Sequence, residues 1–138
     1  MRSVLATTAL LGLVGAGLAA APAALADPPM HHIRYTVTAD GPIWAHIYYR
    51  DAEPAVFSDY SHNPYVFSPR AEADLAPDRP WVLETHLADP DMWAMVTVQS
   101  GESPGFPTPT FRCELAVDGV VVKTGSGPKG ALCSLRSW

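Results

Sequence analysis

The sequence predicts an all-β fold, an immunoglobulin-like antiparallel β-sandwich of about seven strands with one disulfide. Three observations predict it. Apolar and polar residues alternate with a period of two along segment after segment, and no window sustains the i, i+3, i+4 apolar pattern of an amphipathic helix. Of the 14 prolines, all but Pro22 lie beyond residue 27 and cut the chain into short pieces. The chain has two cysteines in all, Cys113 and Cys133.

The elements follow in order. Residues 1–26 read as a cleavable signal peptide: Arg2, an Ala/Leu/Gly/Val-rich run from Ala9 to Ala21, a break at Pro22, and the cleavage signal Ala24-Leu25-Ala26. A retained membrane anchor is the competing reading, because the run approaches the roughly 20 residues that span a bilayer. Small residues dominate the run and the cleavage signal is clean, so removal is favoured. The expected location is secreted or cell envelope, with membrane anchoring if the leader is retained. Residues 27–31 are a flexible N-terminal arm, and 32–138 are the sandwich domain. About 110 residues suffice for one compact domain with a modest core.

Within that domain "HIRYTVTA" (His32–Ala39) places Ile33, Tyr35, Val37 and Ala39 on one face and His32, Arg34, Thr36 and Thr38 on the other. "IWAHIYYR" (Ile43–Arg50), "WVLETHL" (Trp81–Leu87) and "MWAMVTVQ" (Met92–Gln99) follow the same rule. "FRCELAVDGVVVKT" lies in the longest proline-free stretch, Thr110 to Gly127, and its Asp118-Gly119 is a strong hairpin signal. "ALCSLR" supplies the last strand. Between Ala55 and Pro80 the pattern fails, and residues 55–80 read as a long connection with one short strand around Tyr65–Phe67. Connections of this length are uncommon unless functional or mobile.

Composition excludes some function classes. The formal net charge is −5, and the Lys and Arg residues do not cluster, so a phosphate backbone would be repelled and nucleic acid is not an expected partner. Outside the cytoplasm a lone cysteine pair is most simply one disulfide, Cys113–Cys133. There is no C-x-x-C, so a zinc site is not indicated.

Two motifs imitate chemistry. "GSGPKG" (Gly125–Gly130) matches the G-x-G-x-x-G spacing of dinucleotide loops, but such a loop needs a helix directly after it to present amides and dipole to the pyrophosphate. Only Ala131–Trp138 follow, so the glycines are read as a connection between two strands. "GESPG" (Gly101–Gly105) matches a nucleophile elbow, yet the residue after Ser103 is Pro104, which has no N–H to offer an oxyanion. Ser103 is therefore a loop serine. Of the five histidines, His31 and His32 beside the arm could capture a transition metal adventitiously. His46, His62 and His86 show no ligand spacing, and no metal is expected.

One face remains as a candidate surface. Trp44, His46, Tyr48 and Arg50 alternate with Ala45, Ile47 and Tyr49, and Phe57, Tyr60, Tyr65 and Phe67 follow in the long connection. Together they form an aromatic surface for an apolar ligand or protein partner, or else a secondary core in which the connection folds over the strand. A small hydrolase built on Glu84, Asp89 and Asp91 is the rival from another class, but "ADPDM" reads as a turn bearing solvated acids rather than a paired acid and base.

In order along the chain, "HIRYTVTADG", "AHIYYRDAEP", "WVLETHLADPDMWAMVTVQSG" and "CELAVDGVVV", with a second cysteine twenty residues on, resemble the small MmpS accessory proteins of mycobacterial envelope transport. The resemblance implies an extracytoplasmic β-sandwich with its cysteine pair joined, working beside an RND-type (MmpL-like) exporter of siderophores, lipids or drugs, or touching its amphiphilic cargo. It implies no catalytic residue and no cofactor. Two departures stand out: the cleavable leader, and a 55–80 connection longer than that family's. The expected function is a non-enzymatic accessory or binding protein of the envelope; the alternative is a free secreted structural or interaction protein.

Overall fold

The computed structural model describes residues 28–103 and 105–137, together with Gly17. The leader expected over 1–26 and its cleavage signal otherwise lie outside the described residues, as does Pro104. Among the described residues no helix is long and apolar enough to cross a membrane.

Among the described residues, eight strands form two antiparallel sheets of four. They are β1 (His31–Ala39), β2 (Ile43–Tyr49), β3 (Arg70–Leu75), β4 (Trp81–Leu87), β5 (Met95–Ser100), β6 (Phe111–Val117), β7 (Val120–Gly127) and β8 (Gly130–Ser134). One sheet runs β4-β1-β6-β7 and the other β3-β2-β5-β8. The chain stays within a sheet only between β2 and β3 and between β6 and β7; every other connection crosses to the opposite layer.

The alternation read from the sequence is the layer arrangement itself. Ile33, Tyr35, Val37 and Ala39 of β1, Ala45 and Ile47 of β2, Val96 and Val98 of β5, and Phe111, Cys113 and Leu115 of β6 are all buried between the sheets. Their neighbours in sequence face outward, as period-two side chains must. Cys113 on β6 and Cys133 on β8 are joined across the layers, with Cα atoms 6.1 Å apart. Closing a loop of this size stabilises the fold by about 3 kcal/mol in the chain-entropy account.

Asp118 (φ 51°) and Gly119 (φ 82°) take the two left-handed positions of a tight hairpin between β6 and β7. That geometry matches strand twist, and it selects Asp-Gly because few other pairs reach it without strain.

Two short helices and one strand depart from the expected pattern. The short strand of the long connection is β3, Arg70–Leu75, not Tyr65–Phe67; the latter residues form a turn after α1 (Phe57–His62). β3 does alternate, with Ala71, Ala73 and Leu75 toward the core, but alanines give a faint apolar signal. The predicted strand at Met92 begins only at Met95, because α2 (Pro90–Trp93) precedes it. Asp89 caps that turn by accepting a hydrogen bond from the Met92 N–H, and Pro90 occupies its first helical position. β1 also starts one residue early, at His31, inside the predicted arm.

Candidate functional site

The candidate aromatic residues separate into two groups. Trp44, His46 and Tyr48 stay together on the outer face of the β3-β2-β5-β8 sheet. Trp44 is 42 % exposed and meets the His46 ring edge-on at 4.6 Å. Its six-membered ring approaches Gly101 closely: a Cβ at that position would stand 2.8 Å from Trp44 Cζ3, so a side chain there would push the indole aside. Cross-strand register places Asp74 beside Trp44, Glu72 and Gln99 beside His46, and Arg70 and Thr97 beside Tyr48. Arg70 Nη2 approaches Glu72 Oε1 at 3.3 Å, and His46 Nε2 approaches the same oxygen at 3.8 Å. The face is thus an aromatic row flanked by charged side chains. Tyr65, 88 % exposed, joins Tyr48, Ser68, Pro69 and Arg70 around a shallow depression of about 240 Å³ at its end.

Arg50 and Tyr60 belong elsewhere. Arg50 is fully buried, not on the outer face that strict alternation assigns it, because β2 ends at Tyr49 and α1 covers the end of the sandwich. Its guanidinium lies 4.5 Å from the Tyr60 ring centre and 5.4 Å from that of Trp93, and its Nη2 donates to the Tyr60 hydroxyl at 2.9 Å. Two adjacent aromatic rings offset part of the cost of taking a cation out of water. Burial lowers the Arg50 pKa and the neighbouring tyrosines oppose that; arginine nonetheless keeps its proton. Trp93 belongs to the main core and Tyr60 packs against it, with the two ring centres 5.6 Å apart. Phe57 is exposed and lies under the Arg136 guanidinium at 5.6 Å. This group is a secondary core that seats both helices.

Beneath it, the Tyr35 hydroxyl donates to the Arg50 carbonyl at 2.7 Å and accepts from the Met95 N–H at 3.2 Å, tying β1 to the opposite sheet. Burial pushes the Tyr35 phenol well above its ordinary range, so it remains a neutral donor. Sequence reading missed Trp93 and the buried state of Arg50. No local signal marks either, since the stack joins three separate elements.

The imitation motifs have structural explanations. A Cβ at Gly125 would stand 2.6 Å from the Leu132 carbonyl oxygen and 3.1 Å from Cys113 Sγ, and Gly127 and Gly130 meet neighbouring carbonyls as closely. The glycines let β7 and β8 turn from one sheet to the other against the disulfide. Lys129 Nζ donates to the Phe106 carbonyl and Thr108 Oγ1 to the Pro128 carbonyl, pinning that turn to the 101–109 loop. Ser103 lies in the same loop, its carbonyl accepting from the Phe106 N–H at 2.9 Å. The three acids of the rival hydrolase lie in separate surroundings: Glu84 stands beside His32, Asp89 caps α2, and Asp91 lies exposed in its first turn. Among the described residues no group of three or more His, Cys, Asp and Glu side chains is assembled around a metal position.

Comparison with known proteins replaces the resemblance to MmpS. The profile of the Rv2576c beta-sandwich domain matches residues 35–133. The uncharacterized proteins Rv2576c and MT2652 of Mycobacterium tuberculosis (strains ATCC 25618 / H37Rv and CDC 1551 / Oshkosh) and Mb2606c of Mycobacterium bovis are each 34 % identical over 140 aligned positions. Those alignments span 100 % of this chain and 89 % of each relative. The segments that suggested MmpS are alternating strands, a tight Asp-Gly hairpin and a cysteine on each of two facing strands. Such features recur in antiparallel sandwiches of many kinds, so they identify an architecture rather than a lineage. The chain belongs to the family of the Rv2576c beta-sandwich domain.

Proposed function

We propose that this protein is a non-enzymatic, extracytoplasmic binding module that captures a protein partner on the outer face of the β3-β2-β5-β8 sheet. The observation that carries the reading is the row Trp44, His46, Tyr48: large rings left accessible on a rigid sheet, with Arg70, Glu72 and Asp74 along one side. Aromatic anchors inside a polar rim are the usual anatomy of a protein contact surface, and Trp and Tyr dominate the energy of such contacts. Leu132, 48 % exposed on β8 and reached from Tyr48 through Thr97, extends the apolar strip across the sheet. Export is supported by the Cys113–Cys133 disulfide, a bond that persists in oxidising compartments, and by the Ala24-Leu25-Ala26 cleavage signal.

The test is chemical crosslinking in intact cells followed by recovery of the protein, comparing wild type with Trp44→Ala combined with Tyr48→Ala. The double variant keeps a melting temperature within a few degrees of wild type and loses the crosslinked partner. A sharp fall in melting temperature would make the row part of the fold and overturn the reading. Recovery of the same partner by a stable double variant would overturn it too.

A further inference from the structure

The aromatic row on the β3-β2-β5-β8 sheet is not evenly charged along its length. Antiparallel register sets Tyr48, His46 and Trp44 beside Arg70, Glu72 and Asp74 in turn. At the Tyr48 end the charges compensate, since Arg70 Nη2 is 3.3 Å from Glu72 Oε1. At the Trp44 end they do not. Asp74 is exposed, and among the described residues no cation or hydrogen-bond donor reaches its carboxylate. Glu102, also exposed, follows the Gly101 that Trp44 approaches. It is the Glu102 backbone N–H that is held, by Ser100 Oγ at 3.0 Å. The basic residues nearby are otherwise engaged or matched: Lys129 Nζ donates to the Phe106 carbonyl, and Arg79 is preceded by Asp78 in the turn after β3.

We infer that this end of the row takes a cationic side chain of the protein partner, laid against Trp44 and paired with Asp74. The inference rests on the reading of this face as the partner's contact surface, and it adds the partner's charge and the way round it lies. Trp44 and Asp74 are direct neighbours on adjacent strands, so their side chains leave the sheet about 5 Å apart. One guanidinium or ammonium group can touch both. Tryptophan is the aromatic ring that attracts a cation most strongly, and a guanidinium also binds a carboxylate through paired N–H groups.

Other occupants fit less well. An acidic side chain would meet Asp74 and Glu102 with like charge. An apolar one would take the Asp74 carboxylate out of water without a partner, which costs more than it gains. The Tyr48 end, where Arg70 and Glu72 compensate, receives an uncharged part of the partner. The contact is therefore polar along β2, basic toward Trp44 and neutral toward Tyr48.

The experiment reads Trp44 itself. Nuclear magnetic resonance shifts of the ¹⁵N-labelled protein are followed during titration with Nα-acetylarginine amide, and with neutral Nα-acetylglutamine amide for comparison. The Trp44 indole signal, identified by its absence from Trp44→Phe, moves saturably with the arginine probe and stays in place with the glutamine one. Asp74→Lys weakens that response by about threefold or more, and Glu102→Gln weakens it less. Glu114→Lys makes the same change of charge on the outer face of the other sheet and leaves the response unaltered. An indole signal indifferent to the arginine probe, or moved equally by both probes, overturns the inference. Equal loss in Asp74→Lys and Glu114→Lys also overturns it, because net charge rather than this site would then attract the cation. The dependence of crosslinking on Trp44 and Tyr48 tests the surface separately, so either reading can fail without the other.

Discussion

At the scale of single residues, polar groups at the ends of strands hold the layers in place. Asp118 shows how one side chain serves twice. Its backbone takes a left-handed turn position, and its carboxylate accepts from His31 Nδ1 at 2.7 Å and from the His32 N–H at 2.9 Å, locking the hairpin to the start of β1. The hydrogen bond from His31, then that from the His32 backbone, hold this carboxyl below the usual carboxylate range. A lowered folded-state pKa means the charged form is favoured by folding. Its contribution is therefore present above the ordinary value of about 3.9 and is lost as pH falls through the lower folded value. Asp118→Asn keeps a residue that tolerates the turn and removes the charge. Thermal melts of the two proteins should differ at neutral pH and converge as pH drops below about 4. A gap that stays constant down to pH 2 would show that the turn, not the carboxylate, carries the effect.

At the scale of elements, the decisive feature is how closely β7 and β8 pass at the change of layer. Gly125, Gly127 and Gly130 leave no room for a side chain there, so the motif that imitates a nucleotide loop is a steric requirement of a corner. Gly125→Ala should destabilise the domain by about 1–3 kcal/mol, the usual cost of overpacking a tight contact. Gly105→Ala is the matched control, since a Cβ there meets nothing within 4 Å. Urea denaturation of both reads the difference, and equal midpoints would refute the steric account. The same scale explains α1: none of its residues is fully buried, and it is seated by Tyr60 on Arg50 and by Phe57 under Arg136.

For the whole molecule, two sheets share one core and a single covalent bond crosses it. Cys113 comes from an inner strand of one sheet and Cys133 from an edge strand of the other, so the bridge closes the side of the sandwich where β7 turns into β8. Replacing both cysteines by alanine should cost about 3 kcal/mol, a large share of the 5–15 kcal/mol that stabilises a typical domain. The melting temperature should fall by on the order of 10 °C, judged by the scaling for domains near this size. Circular dichroism melts of the double variant and of the reduced wild type check this, and both should retain a β-rich spectrum at low temperature. A variant that melts with wild type would remove the bridge from the account of stability.

Much of this architecture was written in local pattern. Period-two alternation located β1, β2, β4 and β6 and their inward faces, Asp118-Gly119 located the hairpin, and two cysteines in a proline-rich chain of short strands paired as expected. These features are legible because each is set by neighbours in sequence: side-chain parity, turn geometry and the count of possible partners. The fate of the aromatic candidates was not legible, because parity says which side of a strand a residue takes but not what covers that side. Arg50 follows Tyr48 by two positions yet lies buried against Tyr60 and Trp93, while Trp44 remains open to solvent. His32 and His86 likewise become partners only through the antiparallel register of β1 and β4. Local sequence therefore determined the strands and their inner faces. Tertiary packing alone decided which outer positions are covered and which distant side chains meet, because both depend on contacts between segments far apart in the chain.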